Sequence, residues 1–219
     1  MNKEVFEFLS DIEKNNNRVW FAENKPRYEA CRNEVLVNFT NIYNRLAEND
    51  YLEPMKAYRI YRDVRFSKDK LPYKTNFSMY VGRKQPQHRG GYYLQIEPGN
   101  SFVGGGFWGP NPEDLLRIRQ EIALDDELEQ IINEPSFKLF YGQMEGESLK
   151  TAPKGFEKDH ERIELLRKKQ YLFRKSFTDA EVLAADFDEK VVEAFEILRP
   201  FFDYMTDVLL TNSNGERRL

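Results

Sequence analysis

Histidine and cysteine are nearly missing from this chain: His88, His160 and Cys31 are the only ones among 219 residues. A lone cysteine forms no internal disulfide, which fits a reducing compartment. Neither histidine stands in a metal-ligand spacing, so no metal site and no cofactor are expected. G-x-S-x-G, the P-loop and a strand-borne G-x-G-x-x-G are missing too, which removes the common nucleophile and nucleotide fingerprints. No apolar run reaches the length of a bilayer span, and no membrane partner is expected. The opening MNKEVFEFLSDIEKN lacks a signal peptide's unbroken apolar core and small-residue cleavage site, so the expected address is cytoplasmic.

Aromatics and charge are plentiful. A content of 40% hydrophobic and 14% aromatic residues argues for a folded chain, and 219 residues suit one globular domain spanning 1–219. The net charge is −4, but its sign is segregated. Lys56 to Arg89 holds ten Lys or Arg against Asp63 and Asp69, a local +8 that leaves −12 for the rest. Such a segment focuses an anionic ligand, or lies against the protein's own acidic helices.

Periodicity sorts the chain into thirds. Val5, Phe8, Leu9 and Ile12 share one helical face. Tyr28, Cys31, Val35, Phe39, Ile42 and Leu46 make a longer stripe after Pro26, which places Cys31 in the core. The middle third alternates with period two: Tyr58, Ile60, Arg62, Val64 and Phe66 oppose Arg59, Tyr61, Asp63 and Arg65, as in a strand. Asn76–Val81, Tyr92–Glu97 and Ser101–Val103 are further strands, and Glu97-Pro98-Gly99-Asn100 suits a type II turn. Helices return after Asn111-Pro112, with Leu115, Leu116, Ile118 and Ile122 facing inward, and again from Asp159 and His160. Gln170–Phe177 reads as a strand closed by the capping box Thr178-x-x-Glu181. Val191, Phe195, Leu198, Phe202, Met205 and Leu209 mark a last helix with Pro200 inside it. The pattern predicts an α+β fold, an antiparallel central sheet packed against N- and C-terminal helices.

Three stretches can carry chemistry. In YRIYRDVRFSKDKLPYKTNF, Tyr58 to Phe77, Arg62 falls on an apolar face and therefore needs a partner or a ligand. Asp63 can fix the guanidinium of Arg59 or Arg65, or serve as a catalytic base. Arg62, Arg65, Lys68, Lys70 and Lys74 would grip a phosphate or carboxylate beside Tyr73; the competing reading pairs them with the protein's own carboxylates. Gly104-Gly105-Gly106-Phe107-Trp108 suggests a phosphate cradle, a bend or bulge at the end of the hairpin, or an open groove floor. Glu113 and Asp114 repel an anion from the following helix, so the bulge and the floor both fit better than the cradle. Lys154, pinned in Pro153-Lys154-Gly155, presents a further cation or is simply solvated.

Several of these residues carry a family resemblance. Phe8-Leu9, Asn15-Asn16-Asn17-Arg18-Val19-Trp20-Phe21, Tyr61 through Lys70, Pro72-Tyr73-Lys74, Gly104 through Trp108 and Ala152 through Phe156 come in one order. Over nearly the whole chain they resemble the conserved hypothetical proteins of domain-of-unknown-function family 2461. Glu161 departs from the proline that relatives tend to carry after the histidine. The resemblance implies an α+β domain and no activity.

Two functions follow as expectations. One is binding, with turnover left open, of a small anionic ligand by Arg62, Arg65, Lys68, Lys70, Tyr73, Lys74, Trp108 and Lys154. The other is a non-enzymatic module that docks an acidic protein or a short nucleic-acid segment. Nucleic acid is disfavoured as a partner, since the −12 outside the basic segment opposes long contact.

Overall fold

The computed structural model describes residues 1–212 and 216–217. Three helices come first: α1 Lys3–Lys14, α2 Arg18–Glu23 and α3 Lys25–Ala47. Their starts follow the local chemistry. Asn2 accepts from the Glu4 N–H, Asn17 accepts from the Trp20 N–H, and Pro26 occupies the first turn of α3. Both apolar stripes read from the sequence are buried, Cys31 included.

Burial pushes the Cys31 thiol up to about 11, so almost no thiolate exists at pH 8. Native protein is expected to resist a thiol reagent at that pH and to react fully in guanidinium. Rapid native labelling, followed by absorbance, would contradict this packing.

The sheet runs β1 Lys56–Ala57, β2 Phe77–Gly82, β3 Gly91–Ile96, β4 Ser101–Phe107 and β5 Tyr171–Phe177, in that spatial order with all neighbours antiparallel. Short links join β2 to β3 and β3 to β4, whereas a long loop precedes β2 and helices intervene before β5. The β3–β4 turn is the expected one: Gly99 sits at φ 69° and the Asn100 N–H donates to Glu97 O at 3.0 Å. The remaining helices are α4 Pro112–Leu124, α5 Glu127–Asn133, α6 Pro135–Tyr141, α7 Ile163–Leu166, α8 Asp179–Leu183 and α9 Phe187–Leu210. The protein is therefore α+β, with a five-stranded antiparallel sheet packed against helices from the N- and C-terminal parts of the chain. No helix among the described residues is long and apolar enough to cross a membrane.

One face of the sheet makes the core. Phe77, Met79, Val81, Tyr92, Leu94, Ile96, Val103, Tyr171 and Phe173 are all buried there, against α3, α6 and α9. Tyr92 lies 4.9 Å from Phe195 and 5.1 Å from Phe202 of α9, ring centre to ring centre. On the other face Tyr80 is exposed and Tyr93, Phe102 and Leu172 are part-exposed, and no helix among the described residues lines the groove that lies there.

The structure differs from the sequence reading at several points. Tyr58 to Phe66 is not a strand. After the two residues of β1 the chain leaves the sheet as a loop, held by Arg62 N–H to Pro72 O at 2.9 Å and Lys74 N–H to Ile60 O at 2.8 Å. Asp63 and Asp69 accept from the N–H groups two residues on, and these local bonds replace a ladder. Ile60 is buried as its parity suggests, but Phe66 is 96% exposed at the loop's far end. Gly104, Gly105 and Gly106 do not end a hairpin; they continue β4, Gly104 and Gly105 paired on both sides and Gly106 with Leu172 of β5. In α4 it is Arg117 that is buried and Leu116 that is exposed. Asp159 and His160 precede a helix that begins only at Ile163.

Candidate functional site on the open face of the sheet

The strand register lays out the uncovered face. Gly82 opposes Gly91, and Gly106 opposes Leu172. In the adjoining row, Lys56 opposes Tyr80, Tyr80 opposes Tyr93, Tyr93 opposes Gly104, and Gly104 opposes Arg174. Glycines thus cluster where side chains would otherwise stand on this face. The bare patch is the floor of a groove of about 590 Å³, walled by Tyr58, Tyr80, Tyr93, Phe102, Leu172 and Arg174, with Trp108 and Glu145 at its rim.

The walls are held by identifiable contacts. The Tyr80 ring lies across Gly91, where a Cβ would come within 2.5 Å of its hydroxyl. Tyr93 donates to Gln95 Oε1 at 3.1 Å. Burial raises the pKa of Tyr80 and of Tyr93, so both remain neutral phenols at pH 7. The Arg174 guanidinium stacks 3.9 Å from the Phe102 ring centre and donates from Nη2 to Asn100 Oδ1 at 2.8 Å. Its Nε is buried without a hydrogen-bond partner among the described residues. Behind β5, Glu145 N–H donates to Leu172 O at 2.8 Å and covers the sheet's edge.

The basic segment divides into two groups. Arg62 pairs with Asp69 at 2.5 Å and Arg65 with Asp63 at 2.6 Å, both within the loop. Arg83 pairs with Asp50 and Asp203, and Arg89 with Asp114. Self-pairing accounts for these four arginines. Lys56 and Lys74 instead place their ammonium groups 5.2 and 4.9 Å from the Tyr58 ring centre. Burial, with Arg59 nearby, lowers the pKa of Lys74. No carboxylate reaches salt-bridge distance of Lys56, Arg59 or Lys74 among the described residues.

Of the residues singled out from the sequence, Trp108 lines the groove, 74% exposed, and Lys74 abuts its Tyr58 wall. Tyr73 is buried and stacked 4.0 Å from Phe21, a core position. Lys70 Nζ donates to Val64 O at 2.9 Å, and Lys68 stands exposed on the same loop. Lys154 is exposed in the turn from Pro153 to Phe156, apart from the groove lining. Asp63 orients Arg65, whose hydrogen bonds lower its pKa; that suits an ionised anchor more than a base.

Sequence reasoning missed Tyr80, Tyr93, Phe102, Leu172 and Arg174 as a set. Strand parity separates Tyr93 from Tyr92 and Arg174 from Phe173, yet parity alone does not say which face lacks helices.

The family model described as "Conserved hypothetical protein (DUF2461)" matches residues 4–204. The chain belongs to this family. The match bears out the resemblance carried by the Asn15–Phe21 and Tyr61–Lys74 motifs, and DUF2461 membership brings no activity with it. No curated protein and no solved structure matches the chain.

Proposed function

We propose that this protein binds a small anionic ligand bearing a planar ring, in the glycine-floored groove on the open face of its sheet. The observation that carries this reading is the bare floor at Gly104 and Gly106, bounded by aromatic walls and one cation. A ring set there meets backbone below, Tyr80, Tyr93 and Phe102 beside it, and Trp108 at the rim. Arg174, stacked on Phe102 in the groove wall, supplies the positive charge that an anion would meet. Among the lining residues Glu145 is the one carboxylate and there is no histidine, cysteine or serine. The reading is therefore of binding without an acid–base pair.

A thermal-shift screen of nucleoside monophosphates, aryl phosphates and aromatic carboxylates tests it. A ligand at a hundred times its Kd adds about 2.7 kcal/mol, which raises Tm by roughly 5–10 °C in a chain of this size. Arg174→Gln and Trp108→Ala are expected to lose most of that shift, and Arg65→Gln to keep it. If no anion raises Tm, or if Arg174→Gln responds like the wild type, the proposal fails.

A further inference from the structure

We infer that the open face is a platform for single-stranded nucleic acid, with the groove taking one of its bases. This rests on the ring-binding reading of the groove and names the polymer to which that ring belongs. The decisive feature is a cation at each end of one cross-strand row. Lys56, Tyr80, Tyr93, Gly104 and Arg174 face one another in sequence from β1 to β5. Four interstrand steps of about 4.8 Å put the two ends roughly 19 Å apart. A lone nucleotide seated by Arg174 leaves the Lys56, Arg59 and Lys74 end unused.

Between those ends the surface is aromatic. Tyr58 and Tyr93 lie 6.4 Å apart, and Tyr93 and Phe102 lie 5.5 Å apart. Lys56 and Lys74 flank Tyr58 at one limit, and Arg174 stacks on Phe102 at the other. A single strand alternates rings with phosphates, which is the complement of this alternation. A row of roughly 19 Å is long enough for several nucleotides whose bases are unstacked from one another and laid on these rings. Duplex DNA offers no unstacked ring to the tyrosines, so it gains only the charge term.

The cations at issue are those that the protein leaves unpaired. Arg62, Arg65, Arg83 and Arg89 have carboxylate partners, whereas Lys56, Arg59, Lys74 and Arg174 have none among the described residues. The acidity of the chain restricts the footprint to this face. Glu145 enters the groove, and Glu97 at the β3–β4 turn is engaged by Thr75, Gln95 and Asn100.

The test is fluorescence anisotropy on the full chain with labelled oligothymidylate and oligouridylate of about twelve residues, a duplex of equal length, and polyglutamate as competitor. Single strands are expected to bind roughly tenfold or more tighter than the duplex, because stacking is confined to them. The slope of log K against log salt should be roughly −2 to −3 for four cations on a single strand. The Lys56→Gln/Arg59→Gln/Lys74→Gln variant changes exposed or half-exposed side chains. It should lose about tenfold in affinity and flatten the slope by roughly 2, while its thermal-shift response to a mononucleotide persists. Equal binding of duplex, displacement by polyglutamate at equal charge, or wild-type affinity in the triple variant overturns the inference. If single strands fail to bind while a mononucleotide or aryl phosphate still raises Tm, this inference falls and the groove reading stands. If neither binds, both fall.

Discussion

Arg83→Ala is expected to lower the melting temperature by roughly 6–20 °C, the largest loss for a single polar side chain here. Arg83 is 2% exposed, at the start of the link between β2 and β3. Its Nε donates to Asp50 at 3.0 Å and its Nη2 to Asp203 at 2.6 Å. Asp50 is equally buried and also accepts from the Tyr92 hydroxyl at 2.6 Å. The guanidinium plane lies over Phe202 of α9, so one side chain ties the end of α3, the sheet and the last helix together. Removing it leaves the buried Asp50 carboxylate without its cation, held by the Tyr92 hydroxyl and the Tyr51 N–H alone among the described residues. Breaking a buried pair from one side costs about 3–5 kcal/mol, far above the value of a surface ion pair. Arg65→Ala is the contrast: its partner Asp63 is exposed, and Tm should hardly move. Calorimetric melts of the two variants decide the matter. Equal, small shifts would mean that the buried network contributes little.

The same residues show what the sequence made legible. Signals confined to one helix or one turn were readable: the α1 and α3 stripes, the Asn111-Pro112 start, the Pro98-Gly99 turn and the Thr178 box all reflect bonds between near neighbours. The arginines were not. Arg83 and Arg62 look alike in the basic segment, yet one is buried on Asp50 and Asp203 and the other closes a loop onto Asp69. Partners that lie 33 and 120 residues away are invisible to local pattern. The apparent strand at Tyr58–Phe66 failed for the opposite reason. Two aspartates capped nearby N–H groups and gave the backbone a local alternative to pairing. The groove floor fell between these cases. A run of glycines announced missing side chains, but only the register with Gly82, Gly91 and Leu172 puts the bare patch on one face.

Gly106→Ala should both destabilise the fold and pull the groove's wall apart. Gly106 has φ 139°, a conformation that residues with a Cβ rarely adopt. An added Cβ would stand 2.1 Å from Tyr171 O and 2.9 Å from Leu172 Cα, both backbone atoms of β5. No rotamer change relieves such a clash, so β4 and β5 must part where Gly106 pairs with Leu172. Backbone strain of about 1–3 kcal/mol and overpacking of about 1–3 kcal/mol give a loss of roughly 2–6 kcal/mol. Against a typical total of about 5–15 kcal/mol, that threatens the fold near 37 °C. Gly109→Ala serves as control, since a Cβ there would meet nothing within 4 Å and its φ is not in the left-handed range. It should melt within about 1 kcal/mol of wild type. At temperatures where Gly106→Ala is still folded, displaced β5 carries Leu172 and Arg174 away from the aromatic wall. Ligand-induced stabilisation is then expected to vanish before the circular-dichroism signal does. Were Gly106→Ala to melt like the control and keep its ligand response, β4 would not need a bare backbone here and the floor would lose its structural basis.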